Sequence, residues 1–193
     1  MRNEVGRGVT EMDAAGDTVG AVPYVMERYG IIYNKKLLQK YFDSSWASIK
    51  SVDSINNFKT LKTVADEIQA HKDEMGVKGA FTSAGFDTSS IKRFGDQLAH
   101  ISVYYEYRDQ GVTQMTATIS DKYVSNFKNI FDLYINDATI PKTQLASATM
   151  DDANSEFALG EAVFLQNGSW AIRRFAIKRS PMKIWAYCQS IWV

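Results

Sequence analysis

The chain has 193 residues, of which 45% are hydrophobic and 23% are charged, a balance that suits one globular domain or slightly more. Its 22 basic and 22 acidic residues cancel, which argues against a chain built to bind nucleic acid, and no run of about 18 apolar residues predicts a membrane span. One cysteine and two histidines exclude an internal disulfide and a cysteine-built zinc site, so we expect neither a metal nor a cofactor.

The start of the chain predicts a loop, a strand and a short helix. Residues 1–20 are polar and contain four glycines, which is typical of a loop or strand segment, and they lack the apolar core of a signal peptide. Residues 21–34 are rich in aromatic and β-branched side chains, which favour a strand. Residues 35–42 have the pattern of a short helix.

The clearest helix is predicted over residues 51–76. Asn56 or Asn57 can cap its start, and Gly76 can end it. Apolar residues recur along it at spacings of three and four, which gives one buried stripe. That stripe consists of Phe58, Leu61, Val64, Ala65 and Ile68.

The middle of the chain continues the alternation of strands and helices. Residues 77–84 predict a strand that runs into a loop, and residues 89–100 predict a helix. Residues 101–112 suit either a strand or the end of that helix, because their tyrosines favour a sheet while their charges do not. Residues 120–139 predict a second strong helix with an aromatic face.

A short helix and a strand follow. The helix over 151–160 has Asp151 or Asp152 near its start and Gly160 at its end. Residues 161–170 predict a short strand and a turn. Helices that alternate with short strands indicate an α/β layer fold.

No set of residues indicates catalysis. Asp151 and Asp152 are explained by helix capping, and His71 and His100 have no companion ligand nearby. The Asn-Gly-Ser sequence at 167–169 matches a glycosylation acceptor, but it also makes a good turn. A nucleophile with its base and an electrostatic clamp are missing as recognisable sets, so an enzyme is disfavoured.

The last residues differ in charge from the rest. Residues 171–193 carry five basic residues and no acidic one, so residues 1–170 have a net charge of −5. A basic amphipathic tail suits a membrane surface or an acidic partner. One alternative for the whole chain is therefore an interaction module that acts through this tail.

Two segments resemble a known family. PYVMERYGIIYNKKLL (23–38) and ALGEAVFLQNGSWAI (158–172) are similar to the extracellular solute-binding proteins of ABC transporters, in the sugar-binding family that includes maltose-binding protein. The intervening helices occur in the same order and spacing, so the resemblance covers roughly residues 15–172.

The resemblance implies one lobe of a periplasmic-binding-protein type II fold, in which two α/β lobes close on a ligand at a hinge. Residues 1–20 become a polar N-terminal segment, 21–34 the hinge-crossing strand, 35–172 a partial second lobe and 173–193 a basic tail. The first lobe and the export signal would precede residue 15. A lone lobe is expected to bind weakly or not at all and to expose apolar surface that its missing partner should cover.

The implied function is that of the carbohydrate-binding component of an ABC importer. The intact parent would bind a sugar or oligosaccharide by hinge closure and deliver it to permease subunits, without covalent chemistry. It would be extracellular or periplasmic and membrane-anchored, whereas a chain without a signal is expected to stay in the cytoplasm. A rival is a glycan-processing hydrolase that uses Asp151, Asp152 or Glu161.

The resemblance also implies ligand-binding residues. Sugar sites combine flat aromatic faces with amides and carboxylates. Trp170 matches the family's stacking aromatic, although a core tryptophan is the alternative. Glu27 matches a hinge carboxylate, although an ion pair with Arg28 is the alternative. Tyr29 and Asn167 lie beside these motifs and complete the set.

Phe86 and its neighbourhood are less clear. This residue could supply a second aromatic platform or anchor its loop. Relatives often carry a tryptophan near the start of the helix at 89–100, where this chain has Ile91 and Lys92. One stacking wall of the family site is therefore expected to be missing.

The basic tail has a possible origin in the coding DNA. One possible coding of residues 181–193, read one base earlier, gives a sequence expected of the family's second hinge strand. We therefore hypothesise a frameshift shortly after Trp170, which sequencing the coding DNA in all frames would test.

Overall fold

A computed structural model describes residues 29–171 and the backbone of residues 182–185. In these residues, helices flank one sheet of four strands, so the α/β prediction is confirmed. The strands are Tyr29–Asn34 (β1), Gly79–Phe81 (β2), Ala162–Gly168 (β3) and Met182–Trp185 (β4). The α-helices are Lys35–Asp43 (α1), Phe58–Ala70 (α2), Lys72–Met75 (α3), Ala99–Gln110 (α4), Val124–Asn136 (α5) and Met150–Leu159 (α6).

The sheet is mixed, with the strand order β2-β3-β1-β4. Strand β2 is parallel to β3, with Phe81 beside Phe164, and β1 is antiparallel to both β3 and β4. Tyr29, the first residue of β1, lies opposite Gly168 at the end of β3. Strand β4 lies within the segment that the sequence separates as a basic tail, and its backbone pairs with β1.

The helix predicted over 51–76 is divided in the structure. Residues Val52–Ser54 form a 3-10 turn, and α2 begins only after Asn57. The Asn57 side chain accepts a hydrogen bond from the Thr60 backbone N–H (2.9 Å), and the Thr60 hydroxyl accepts one from the Asn57 backbone N–H (3.3 Å). This reciprocal capping box fixes the start of α2. Gly76 ends α3 in the left-handed conformation (φ 69°), as predicted.

The segment whose type the sequence leaves open is helical. A π-helical stretch, Arg93–Leu98, runs directly into α4, which ends at Gly111 with φ 64°. The strand alternative for residues 101–112 is therefore wrong. One of the tyrosines that favour a strand packs in the helical core instead. Tyr105 is buried against α5 and contacts Tyr123, with 5.7 Å between the ring centroids.

The core lies on both faces of the sheet. On one face, Phe81 contacts Phe164 (5.1 Å between ring centroids) and Tyr134 of α5 (4.9 Å). On the other face, Ile32 and Leu165 form a smaller buried cluster with α6. The sheet is thus held between two helical layers, which leaves its strand ends as the place where polar groups can gather.

Candidate functional site

The candidate site lies at one edge of the sheet, beyond the carboxyl ends of β2 and β3. Because these strands are parallel, their ends meet at the same edge. Thr82 and Ser83 follow β2, whereas Gln166 and Asn167 lie near the end of β3. Tyr29 enters the same edge from β1, opposite Gly168. In open α/β sheets, ligands bind outside the carboxyl ends of the strands, so this edge is the place to expect a site.

Two aromatic residues lie together at this edge. The rings of Tyr29 and Trp170 are 6.3 Å apart between centroids, at an interplanar angle of 44°. Trp170 is 41% exposed, so it is a surface tryptophan and not the core tryptophan that the sequence left as an alternative. The Tyr29 hydroxyl donates a hydrogen bond to the Gln166 carbonyl (3.3 Å), and burial raises the pKa of this phenol well above its usual value.

Gly168 provides the seat for the Trp170 indole. The six-membered ring of the indole lies where a side chain at residue 168 would begin, and a Cβ there would overlap three of its carbons. Any residue other than glycine must therefore displace the indole. The sequence Asn-Gly-Ser-Trp thus combines a turn with a platform for the aromatic side chain.

Gly168→Ala is expected to move the indole of Trp170 without unfolding the chain, because an exposed ring can swing away at little cost. The indole N–H resonance of Trp170 should shift in an NMR spectrum. The resonance of Trp46, which stacks on His71 (4.0 Å), is the internal control and should stay in place. An unchanged Trp170 signal would contradict the seating described here.

Asn167 is a buried residue that links the end of β3 to α6. Its side-chain amide donates to the Asn154 side chain of α6 (3.2 Å), while its oxygen accepts from the Gly168 backbone N–H (2.8 Å). These bonds tie the end of β3 to α6. The same burial argues against use of the Asn-Gly-Ser sequence as a glycosylation acceptor, since that reaction needs an accessible amide.

Phe86 and Glu27 do not add to the described site. The half-buried Phe86 ring contacts Phe94 (5.4 Å) and Phe131 (5.9 Å), and its backbone N–H donates to the Leu145 carbonyl (2.8 Å). This packing matches the anchoring alternative. Glu27 lies outside the described residues.

Sequence reasoning missed the most unusual residue of this edge, Arg93. It is 1% exposed; its guanidinium donates to the Ser83 carbonyl (2.6 Å) and contacts the Met150 sulfur (3.3 Å). Burial lowers the pKa of Arg93, while neighbouring groups that include Glu156 oppose that effect. In the sequence this arginine directly follows Ile91 and Lys92, and nothing in that pattern indicates that Arg93 is buried and not solvated.

Gln166 was also not identified from the sequence, although the residues before it indicate that its side chain is buried. It is the first polar residue of β3 after four apolar ones, and such a run indicates a strand buried on both faces. A polar side chain at that point is therefore expected to be buried. The Gln166 side chain is buried, and neither its oxygen nor its nitrogen has a hydrogen-bond partner among the described residues.

Asp152 and Glu161, two of the three acidic residues of the hydrolase alternative, lie near opposite ends of α6. Asp152 caps α6 by accepting from the Thr149 backbone N–H (2.9 Å), and hydrogen bonds to Thr149 lower its pKa. Glu161 pairs with Lys78 (2.8 Å) beyond the other end of α6. A helix of this length separates its ends by about 15 Å, and two carboxylates that share a glycosidic bond lie about 5–10 Å apart.

The described residues include neither a candidate metal site nor a candidate membrane helix. No three or more His, Cys, Asp or Glu side chains among them come together in a way that could hold a metal ion. None of the helices described is both long and apolar enough to cross a membrane.

Comparison with known proteins identifies the family and the fold. The profile of the family described as "Bacterial extracellular solute-binding protein" matches residues 8–187, which includes most of the segment taken as a basic tail. No curated protein sequence matches the chain.

Two solved structures are similar to the described fold. A "Chitin oligosaccharide binding protein" has a TM-score of 0.55 at 15% identity, over 83% of this chain and 38% of its own. The apo form of RafE from Streptococcus pneumoniae has a TM-score of 0.51 at 19% identity, over 86% of this chain and 40% of its own. The chain thus spans about two fifths of each structure, and the fold predicted from the family resemblance is confirmed. From the profile match, the chain belongs to the bacterial extracellular solute-binding protein family.

Proposed function

We propose that this chain provides one wall of a carbohydrate site in the binding component of an ABC importer. The observation that carries this proposal is the exposed indole of Trp170, seated on Gly168 beside Tyr29 at the carboxyl ends of β2 and β3. An exposed, well-positioned aromatic face suits the C–H face of a sugar ring. One structural neighbour is a chitin oligosaccharide binding protein, which supports the same ligand class.

The rest of the proposed function follows from membership of the family. The intact parent binds a sugar or oligosaccharide between two lobes that close at a hinge, and it passes the ligand to permease subunits. It works outside the cytoplasmic membrane, anchored to it, and it binds without catalysis, cofactor or metal. Residues 21–34 serve as the hinge crossing and residues 35–172 as part of the second lobe. The frameshift origin of 173–193 stays a prediction.

The test is an NMR titration of the 15N-labelled chain with neutral and acidic oligosaccharides, because such spectra detect the millimolar affinity expected of a single wall. The indole N–H of Trp170 should shift on addition of at least one oligosaccharide. Trp170→Ala should reduce the affinity at least tenfold, since it removes the stacking face.

Tyr104→Ala is the matched control, because Tyr104 is also an exposed aromatic residue (52%) but lies on α4. It should bind as the wild type does. If no oligosaccharide shifts the spectrum, or if the Trp170 variant binds as well as the Tyr104 variant, the proposal is wrong.

A further inference from the structure

Several buried polar side-chain atoms near the aromatic pair have no hydrogen-bond partner among the described residues. The Ser83 hydroxyl, both polar atoms of the Gln166 amide and the Nε of Arg93 are buried and unpartnered among the described residues. Nearly all buried polar atoms in folded proteins are hydrogen-bonded. Several unpartnered atoms at one edge of a sheet therefore indicate that a further polar group forms hydrogen bonds with them.

The strand register places these groups together. Phe81 lies beside Phe164, and the Thr82 backbone N–H continues the ladder by donating to the Phe164 carbonyl (2.9 Å). Side chains alternate along a strand, so Gln166, two residues beyond Phe164 in β3, shares the face of Phe164, and Ser83 lies two residues after the end of β2. The guanidinium of Arg93 bonds to the Ser83 carbonyl on this edge.

The aromatic pair adjoins the same face. Tyr29 lies opposite Gly168, and its hydroxyl bonds to the Gln166 carbonyl. The Trp170 indole occupies the Cβ side of Gly168, two residues beyond Gln166 in β3. The unpartnered polar groups therefore lie next to the platform on which we place the sugar.

Among residues 29–171, Arg93 has no anionic partner in direct contact. The two nearby acids are engaged elsewhere: Glu156 accepts from the Ser83 backbone N–H (2.7 Å) and the Thr139 hydroxyl (2.8 Å), and Asp87 accepts from the Ser90 backbone N–H (2.9 Å). Neither acid forms an ion pair with Arg93, although the negative charges of both favour its charged form, and the Arg93 Nε has no hydrogen-bond acceptor among the described residues.

The backbone at Arg93 is unusual as well. The π-helical stretch Arg93–Leu98 begins at this residue. Such stretches are rare, and they occur often at functional sites, because the wider turn re-aims a side chain. Here it presents a planar guanidinium, whose fork of N–H donors matches the two oxygens of a carboxylate.

We propose that the ligand of this site is an acidic sugar and that Arg93 recognises its carboxylate, with Ser83 and Gln166 binding adjacent hydroxyls. This inference rests on the proposed carbohydrate function and narrows it to oligosaccharides that contain a uronic acid. It predicts that charge, and not ring shape alone, selects the ligand.

The test compares matched probes on the wild-type chain. Oligogalacturonate, oligomannuronate and oligoglucuronate are each titrated in the NMR assay beside their carboxyl-reduced, neutral counterparts, which keep the same linkages. At least one acidic oligosaccharide should bind at least tenfold more tightly than its neutral counterpart. Arg93→Gln should remove most of that difference, whereas Arg93→Lys, which keeps the charge, should retain part of it.

The outcomes separate the two proposals. If neutral oligosaccharides bind as well as the acidic ones, the inference about Arg93 is overturned and the carbohydrate function stands. If no oligosaccharide of either kind shifts the Trp170 indole signal, the carbohydrate function fails and the inference fails with it. The comparison of probes decides the question even if the buried Arg93→Gln variant does not fold.

Discussion

Gly85→Ala is expected to lower the free energy of unfolding by about 2–3 kcal/mol, because a methyl group at this position would overlap the main-chain carbonyl of Ala148. The obstacle is backbone, so no side chain can rotate away to make room. The loop after β2 and the segment before α6 would have to separate. That movement weakens the hydrogen bond from the Phe86 backbone N–H to the Leu145 carbonyl (2.8 Å).

The measurement is urea unfolding, with the midpoint compared at an unchanged slope. Gly95→Ala is the matched control: it is the same substitution, but nothing lies within 4 Å of a Cβ at Gly95. Because Gly95 is inside the helical stretch Arg93–Leu98, alanine there should leave stability unchanged or raise it by up to about 1 kcal/mol. Equal midpoints for the two variants would show that the close approach at Gly85 does not constrain the fold.

The contrast between Gly76 and Gly85 shows what the sequence could predict. Gly76 ends a helix, and its role depends on neighbours a few residues away, so the pattern of apolar residues before it is enough to predict the cap. The role of Gly85 depends on Ala148, which is distant in the chain. Local periodicity holds no information about that approach.

The residues of the candidate site also differ in how far the sequence could predict them. Trp170 is predicted from the family resemblance of a short motif, which also contains the glycine that seats its indole. Arg93 cannot be predicted from a motif, because its unusual features are its burial against Ser83 and Met150 and the lack of an ion pair within the described part of the chain. A charged residue in a helix is normally solvated, and only the tertiary packing overrides that expectation.

Asp137→Asn is expected to stabilise the chain at neutral pH. Asp137 is buried at the end of α5, and its Oδ2 has no hydrogen-bond partner among the described residues. Burial, together with the smaller effect of the negative charge of Asp66, raises the pKa of this carboxyl from 3.8 to about 6, while Lys62 opposes the shift. The carboxylate form is therefore disfavoured in the folded chain.

The sign of the pH dependence follows from that shift. Below pH 3.8 the carboxyl is neutral in both the folded and the unfolded chain, and folding is not penalised. Between about pH 4 and 6 the unfolded chain loses its proton while the folded chain keeps it, so stability falls as the pH rises. Above pH 6 the penalty is constant. A pKa difference of about 2 sets its upper limit near 3 kcal/mol, and relaxation around the site should reduce it to about 1–2 kcal/mol.

The test is urea unfolding of the wild type and Asp137→Asn at about pH 3 and at about pH 7.5. The variant should be more stable by about 1–2 kcal/mol at the higher pH and equal to the wild type at the lower pH, because asparagine keeps the shape of the neutral acid and cannot ionise. Asp132→Asn is the control on the same helix, since the exposed Asp132 only pairs with Lys128 and should change stability by less than about 0.5 kcal/mol at either pH. A variant that is destabilised at pH 7.5 would mean that the Asp137 carboxylate has a favourable partner in the folded chain, and the raised pKa would then be wrong.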